Sequence, residues 1–359
     1  MPRFETLADW LYWQESLHPR KIDPGLERVA ALTGRMALRR PGRTIVSVAG
    51  TNGKGSSVAM LEAILLAAGY RVGSYTSPHL LSYNERIRIN GREVSDAALC
   101  AAFAQIDAQR AGQSLSYFEF GTLAAFMLLQ QAAPDIAILE VGLGGRLDAV
   151  NCVDADIALI TAIGLDHMQW LGNDRESIGR EKAGIARRGK PAVCSDPAAP
   201  ASLAVALRDA GARRYALNEH FSRTAGTEGW NWLGPEHCHE SLPLPRMAGA
   251  HQLDNAAGVL MVLDLLREIL PVTKTAICQG LGSACLPGRC QWLPGAVEIV
   301  LDVAHNTQSA SRLLASLRER SCRGRTRLVL GMLEDKDVRG YTTILAPAVD
   351  TWYLAGLAV

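Results

Sequence analysis

Val46-Ser47-Val48-Ala49-Gly50-Thr51-Asn52-Gly53-Lys54-Gly55-Ser56-Ser57 joins an apolar run, Thr44–Val48, to a glycine-rich turn with one lysine, and the turn opens onto a helical run, Ser57–Ala68. Strand, turn and helix in that order form a phosphate cradle. Glycines let backbone N–H groups curl around phosphate oxygens, and the helix N-terminus adds partial positive charge. Lys54 can reach terminal phosphates and Ser56 can offer a hydroxyl to Mg²⁺. The strict pattern G-x-x-x-x-G-K-[ST] is not met: Val48 stands where the first glycine belongs, and Gly55 follows the lysine.

Outward from this loop, short apolar runs alternate with helical ones. Strands are expected at Thr44–Val48, Val72–Tyr75, Ile136–Val141, Ile157–Ile163 and Pro191–Cys194. Runs apolar on both faces belong to a buried parallel sheet. Helices are expected at Ser57–Ala68, Ser95–Gln109 (capped by Ser95), Phe120–Gln131, Ser177–Arg187, Asn255–Leu270 and Lys274–Leu281. The segment Glu219–Pro245, rich in Gly, Pro, Trp and His, reads as a small β excursion. After the turn Leu286-Pro287-Gly288-Arg289, three further strands (Val297–Asp302, Arg327–Leu330, Thr351–Ala355) alternate with two helices. That is about half of a doubly wound unit.

Composition bounds the rest. A chain of 359 residues, 48% hydrophobic, holds two domains and a sizeable core. A net charge of +1 gives no field that favours nucleic acid or an acidic membrane. The eight cysteines form no C-x-x-C pair, which argues against a zinc site and fits reduced thiols in the cytoplasm. The N-terminus lacks a signal-peptide core. No apolar run approaches the roughly 20 residues of a membrane helix.

Three more segments carry chemistry. Glu140, at the end of an expected strand in Glu140-Val141-Gly142-Leu143-Gly144-Gly145-Arg146-Leu147-Asp148, lies where open α/β sheets bind ligands. A carboxylate buried there is costly unless paired or metal-bound. His167 in Gly164-Leu165-Asp166-His167 shares that sheet edge, as a metal candidate. Asp302-Val303-Ala304-His305-Asn306 follows a later strand and can face the first domain. Lys182 in Arg180-Glu181-Lys182-Ala183-Gly184 reads, taken alone, as a surface lysine.

Together these segments resemble the dihydrofolate synthase/folylpolyglutamate synthase family of the Mur ligase superfamily. The matching runs are G-T-N-G-K-G-S (50–56), T-S-P-H-L (76–80), F-E-F-G-T (118–122), E-V-G-L-G-G-R-L-D (140–148), G-L-D-H (164–167) and R-E-K-A-G (180–184). P-G-R (287–289), D-V-A-H-N (302–306) and G-M-L-x-D-K-D (331–337) complete the series, in order along nearly the whole chain. The Lys54-Gly55-Ser56 variant is the one this family carries. The resemblance implies an α/β architecture: a P-loop ATPase-like N-terminal domain with a parallel sheet (1–287), and a smaller Rossmann-like glutamate-ligase domain (288–359). Family members continue beyond this point, so the second domain is expected to be shortened, with an unpaired edge and an uncovered apolar face at Thr351–Ala355.

The resemblance further implies ATP on Gly53, Lys54, Gly55 and Ser56, with contacts from Asn255, Arg289 and Asp302. It implies two Mg²⁺ sites served by Ser56, Ser77, Glu140, His167 and a carbamylated Lys182. CO₂ addition would turn that cation into an oxygen ligand suited to a hard metal. It places dihydropteroate near Phe118, Glu119, Leu147 and Asp148, with Ile22-Asp23-Pro24-Gly25-Leu26 as another part of that pocket or simply a helix-starting turn. Departures are mild: Val150 replaces a usual Thr, and Thr307 a usual Pro. The implied enzyme is a cytoplasmic, monomeric ATP-dependent ligase. It joins L-glutamate to dihydropteroate and to folate glutamate tails through an acyl phosphate. Lys54, Lys182 and, as a base for the amine, His305 are its catalytic candidates. Its partners are those small molecules, with no nucleic acid and no membrane. The rival readings are a cell-wall peptide ligase of the same superfamily and a nucleotide-binding protein without ligase activity.

Overall fold

The computed structural model describes residues 2–226, 229–320, 322 and 324–357; Met1, Thr227, Glu228, Ser321, Arg323, Ala358 and the chain end at Val359 lie outside it. Helices α1 (Leu7–Leu17) and α2 (Glu27–Arg35) come first, then β1 (Thr44–Ala49), α3 (Lys54–Ala67) and β2 (Val72–Tyr75). A hairpin follows, β3 (Ile87–Ile89) and β4 (Arg92–Glu93), then α4 (Asp96–Gln109), α5 (Tyr117–Ala132), β5 (Ile136–Glu140) and β6 (Ile157–Ile160). Next come α6 (Met168–Leu171), α7 (Arg175–Ala183), β7 (Pro191–Cys194), α8 (Ala201–Asp209) and β8 (Arg213–Ala216). Eight strands make one sheet in the order β4-β3-β2-β5-β1-β6-β7-β8. It is parallel except for β3 and β4. β1 therefore sits between β5 and β6, and the loops leaving these three strands share one edge. That edge is where open sheets bind ligands.

All five strands expected in this sheet form. The hairpin was not foreseen, although Asn90-Gly91 at its tip, with φ of 52° and 75°, is the dipeptide a two-residue hairpin turn prefers. α1 and α2 were missed too. Their contribution is tertiary: Trp10 of α1 is fully buried, its ring 6.0 Å from Phe103. α3 begins at Lys54 rather than Ser57 because Gly53, at φ +94°, turns the chain directly into the helix. α5 begins at Tyr117 rather than Phe120 because Ser116 and Glu119 form a reciprocal capping box.

Alternating residues of the central strands feed two cores. Ile45, Leu139 and Ile160 face the α1, α2, α4, α5 layer. Val46, Val48, Ile138 and Leu159 face the other side. That second layer holds α3, the small sheet β9 (Ser222–Gly226), β10 (Gly229–Leu233) and β11 (Cys238–Leu242), and helices α9 (His251–Leu265) and α10 (Lys274–Ser283). The β excursion at 219–245 is thus present, and it buries Trp230 and Trp232 with their indole N–H groups donating to Pro243 and Ala257 carbonyls. α10 lies so close to α3 that a Cβ on Gly280 would sit 2.5 Å from Ile64 Cα and 2.6 Å from its backbone N. Backbone cannot yield as a side chain does. Gly280→Ala is therefore expected to cost about 1–3 kcal/mol despite alanine's better helix propensity. A urea midpoint equal to wild type would show that the helices separate freely.

The last segment contains β12 (Gln291–Leu293), β13 (Ile299–Leu301), α11 (Thr307–Glu319), β14 (Arg327–Leu330), α12 (Val338–Leu345) and β15 (Thr351–Leu354). Its own small core gathers Ala310, Leu313, Leu330, Tyr341 and Leu345. The expected single parallel sheet resolves into two pairs. β13 turns back on β12 in antiparallel register, and only β14 and β15 run parallel. Val329 and Leu354 on that pair are exposed, at 75% and 76%.

Candidate active site

The loop after β1 is packed from behind by α9. A side chain at Gly53 would collide with the Asn255 amide oxygen, so only glycine lets the loop lie there. Asn255 donates to Gln252 (2.9 Å), and Gln252 in turn donates to the buried Ser56 hydroxyl (3.4 Å). Gln252 was not foreseen, and its spacing of three residues from Asn255 on one helix face is the signal that could have found it. Lys54 Nζ folds over the loop to the carbonyls of Gly50 (3.0 Å) and Thr51 (3.3 Å). A Cβ on Gly55 would stand 3.8 Å from both Glu140 Oε2 and Arg289 Nη2, which places that carboxylate and that guanidinium beside the loop.

Glu140 ends β5 and is buried. Burial pushes its pKa up, against the pull of Lys54, the Ser77 N–H (3.2 Å) and Arg289. Lys182 on α7 is 2% exposed, which overturns the surface reading its sequence context alone supports. Burial pushes its amine down to about 7, and the charge of Lys54 adds to the effect. His167 adopts φ +49° and leaves Nδ1 buried without a hydrogen-bond partner. Among the described residues no three His, Cys, Asp or Glu side chains converge into a ready-made metal cage. Mg²⁺ typically takes only one or two protein carboxylates and completes its shell with water and substrate phosphates. The hydroxyls of Ser56 and Ser77 and the Glu140 carboxylate fit that habit, and the His167 Nδ1 is an unpartnered nitrogen donor beside the cleft.

A cavity of about 520 Å³ opens at this edge. Lys54, Ser77, Phe118, Glu119, Leu147, Asp148, His167, Lys182 and His305 all line it. Ser56, Glu140, Asn255 and Arg289 stand outside its wall, around the loop, and Asp302 stands outside it beside Cys290. Phe118 lies against Gly142, where any Cβ would strike its ring (2.6 Å), and runs near-parallel to Tyr75 at 6.2 Å. Phe118 and Leu147 thus offer apolar surface. The two carboxylates are already engaged. Asp148 accepts from the backbone of Leu143 (2.8 Å) and Val150 (2.9 Å). Burial raises it to about 6 against those N–H groups. Glu119 accepts from Ser116 N (2.7 Å) and from Arg28 (3.0 Å). The segment 22–25 lines the cavity as well, so it is more than a helix-starting turn.

The later residues meet this edge through Asp166, which the sequence reading left unassigned. Its carboxylate accepts from Lys336 Nζ (2.9 Å) and Asn306 Nδ2 (3.2 Å), and lies 3.1 Å from His305 Nε2. Burial opposes its charge, yet the bonds from His305 and Lys336 hold its pKa well below the carboxylate range. Lys336 also reaches His167 Nε2 (3.4 Å), and Asn52 donates to Gln308 (2.6 Å). Asp302 accepts from Cys290 N and Ala304 N, 2.7 Å each, and so shapes the turn that presents His305. The geometry does not favour His305 as the base. Nδ1 faces the Val303 carbonyl (2.8 Å) and Nε2 faces Asp166, both acceptors. Both ring nitrogens are thus held by groups of the chain itself.

A phosphate-cradling loop, a buried carboxylate beside it, a buried amine and an aromatic wall around one cleft define an α/β protein of the nucleotide-binding class. The Mur ligase middle domain matches residues 48–263, and the Mur ligase, glutamate ligase domain matches 288–358. The dihydrofolate synthase/folylpolyglutamate synthase of Escherichia coli is 45% identical over 351 residues, covering 98% of this chain and 82% of that protein. Its Haemophilus influenzae counterpart is 40% identical over 98% of this chain and 83% of its own length. The structure of E. coli FolC in complex with DHPP and ADP superposes with a TM-score of 0.93, covering 97% of this chain and 83% of that one. A bifunctional folylpolyglutamate synthase/dihydrofolate synthase with Mn, AMPPNP and L-glutamate bound is 49% identical, with a TM-score of 0.92 over 99% of this chain and 84% of its own. This chain belongs to the Mur ligase superfamily and, within it, to the dihydrofolate synthase/folylpolyglutamate synthase family. ATP and a divalent metal are part of that family's chemistry.

Proposed function

We propose that this protein is an ATP-dependent ligase that joins L-glutamate to dihydropteroate, forming dihydrofolate, and to the glutamate tail of tetrahydrofolates. The observation that carries this reading is one cleft lined together by Lys54 of the phosphate loop, the buried Lys182, Phe118 and Leu147. The substrate carboxylate takes the γ-phosphoryl group of ATP and becomes an acyl phosphate. The glutamate amine then attacks the carbonyl carbon, phosphate leaves, and the amine loses a proton. Lys54 offsets charge on the transferring group, and the loop N–H groups orient it. Asn255, Arg289 and Asp302 border the nucleotide side, while Phe118 and Leu147 hold the pterin and Glu119 and Asp148 keep that slot in shape. Mg²⁺ at two sites, served by Ser56, Ser77, Glu140, His167 and Lys182, would supply electrostatic stabilisation of the phosphates.

For Lys182 we propose carbamylation: the neutral amine attacks CO₂, an N–C bond forms, a proton leaves, and a carboxylate-like group replaces a cation. Its pKa of about 7 supports this, because the neutral amine needed for the attack is then abundant. We place the boundary between the two domains at 287/288, next to the onset of the third core at Cys290. A cytoplasmic location is part of the same reading, supported by eight free thiols. No helix among the described residues is long and apolar enough to cross a membrane.

The test is ADP release by purified protein with each substrate omitted in turn. Turnover is expected only with ATP, a pterin acid and L-glutamate together. Turnover with a muramoyl-peptide precursor and none with dihydropteroate would favour the cell-wall rival. ATP binding with no amide product from either would leave only a nucleotide-binding protein.

A further inference from the structure

We propose that Arg28 is a positioning residue for the pterin end of the cleft: it clamps the segment Ile22–Leu26 onto the N-terminus of α5. This inference rests on the folate reading above and deepens it. Arg28 does not line the cavity, whereas residues on both sides of its clamp do. Its guanidinium is engaged in two directions. Nε donates to Glu119 Oε1 (3.0 Å) and Oε2 (3.3 Å). Nη1 donates to Asp23 Oδ2 (2.6 Å), and Nη2 to the Asp23 carbonyl (2.8 Å). One planar fork thereby fixes a loop side chain and its backbone to a buried carboxylate, a task a point-charge lysine cannot duplicate.

The two anchors differ in rigidity. Glu119 is 4% exposed and caps α5, so it is a fixed post. Arg28 itself stands in the first turn of α2, whose Val29 and Leu32 are fully buried. Asp23 is on an irregular segment and would be the moving part. His18 Nε2 (3.1 Å) and Arg20 (3.3 Å) also reach Asp23, and Gly25 N donates to the Leu147 carbonyl (3.3 Å). His18 Nδ1 lies 3.0 Å from Ser114 Oγ and so links Asp23 to the chain just before α5, whereas Arg28 ties the segment directly to Glu119 in the first turn of α5, where Phe118 and Glu119 begin the other wall. Loosening it widens the slot while leaving the phosphate end untouched.

The experiment compares Arg28→Lys, Asp23→Asn and the double variant with wild type. Arg28→Lys keeps the positive charge beside Glu119 and so protects folding. The expected result is a KM for dihydropteroate raised about tenfold in each single variant. The KM for ATP and kcat should stay within about twofold of wild type, because the transferring groups are not moved. The double variant should be no worse than the poorer single, since both changes cut one connection. Calorimetric binding of dihydropteroate to the ADP-bound protein should show the same loss without turnover. An unchanged dihydropteroate KM in Arg28→Lys would overturn the inference, as would KM values for ATP and dihydropteroate rising together, the mark of a general structural loss. A wild-type protein that neither binds nor consumes dihydropteroate would overturn the functional reading, and this inference with it.

Discussion

Lys182→Ala is expected to lower kcat about a hundredfold or more while ATP affinity stays near wild type. The loop that cradles phosphate does not depend on Lys182, but charge stabilisation of the transferring group does, and removal of one such group typically costs about 10²–10³ in rate. Short-chain carboxylates such as acetate, which carry the same charged group as the carbamate, should restore part of the rate. Wild-type protein in ¹³CO₂ should show a carbamate carbon resonance that the variant lacks. A wild-type rate in Lys182→Ala, or no such resonance in wild type, would rule out the modified ligand.

The same residue makes a stability prediction with the opposite sign. The folded state lowers its pKa from 10.5 to about 7. Below pH 7 the amine is charged in both states, and the folded protein bears the full cost of burying it. Between pH 7 and 10.5 the unfolded chain binds the extra proton, so native stability rises through that window. Lys182→Met should therefore be more stable than CO₂-free wild type, by on the order of 2–4 kcal/mol below pH 7, with the gap closing toward pH 10.5. Melting temperatures across that range read the difference directly. A functional residue that costs stability is what an active site built on a buried amine requires.

Asp166→Ala should be among the most damaging single changes. Asp166 and Lys336 are each 9% exposed at the side chain, so the variant leaves a buried ammonium with only its longer contact to the Asp335 carboxylate (3.5 Å). Breaking such a pair costs about 3–5 kcal/mol. His305 and Asn306 lose an anchor at the same time, and ligase activity should fall with stability. Because the folded state holds this carboxyl below its ordinary 3.8, its contribution is present above that pH and fades only in stronger acid. The deficit of the variant should accordingly be flat from pH 6 to 8. Asp166→Asn combined with Lys336→Met, which removes both charges, should recover much of the stability and little of the activity. A loss under about 1 kcal/mol in Asp166→Ala would mean that the pair is solvated in solution.

The elements legible from the chain are those built from neighbours along it. The phosphate loop, the five parallel strands, the Ser95 cap and the β excursion at 219–245 each follow from contiguous pattern: apolar runs, a glycine where the backbone must turn, a hydroxyl where a helix begins. Glu140 was legible for the same reason, as a carboxylate at the end of an apolar strand. Proximity in space was not legible. Arg28 and Glu119 are 91 residues apart, and Asp166 and Lys336 are 170 apart. Their bonds exist only once the sheet and helices bring their elements together. Folding also altered what individual residues are. Lys182, a surface lysine by its local context, becomes a buried amine near neutrality because desolvation and Lys54 act on it from outside its own helix. His305, a candidate base by its motif, arrives with both nitrogens facing acceptors. Backbone geometry is governed by steric and hydrogen-bonding preferences that act over a few residues, so local sequence specifies it. Charge state and donor direction are governed by burial and by partners from elsewhere in the chain, so the packed molecule alone sets them.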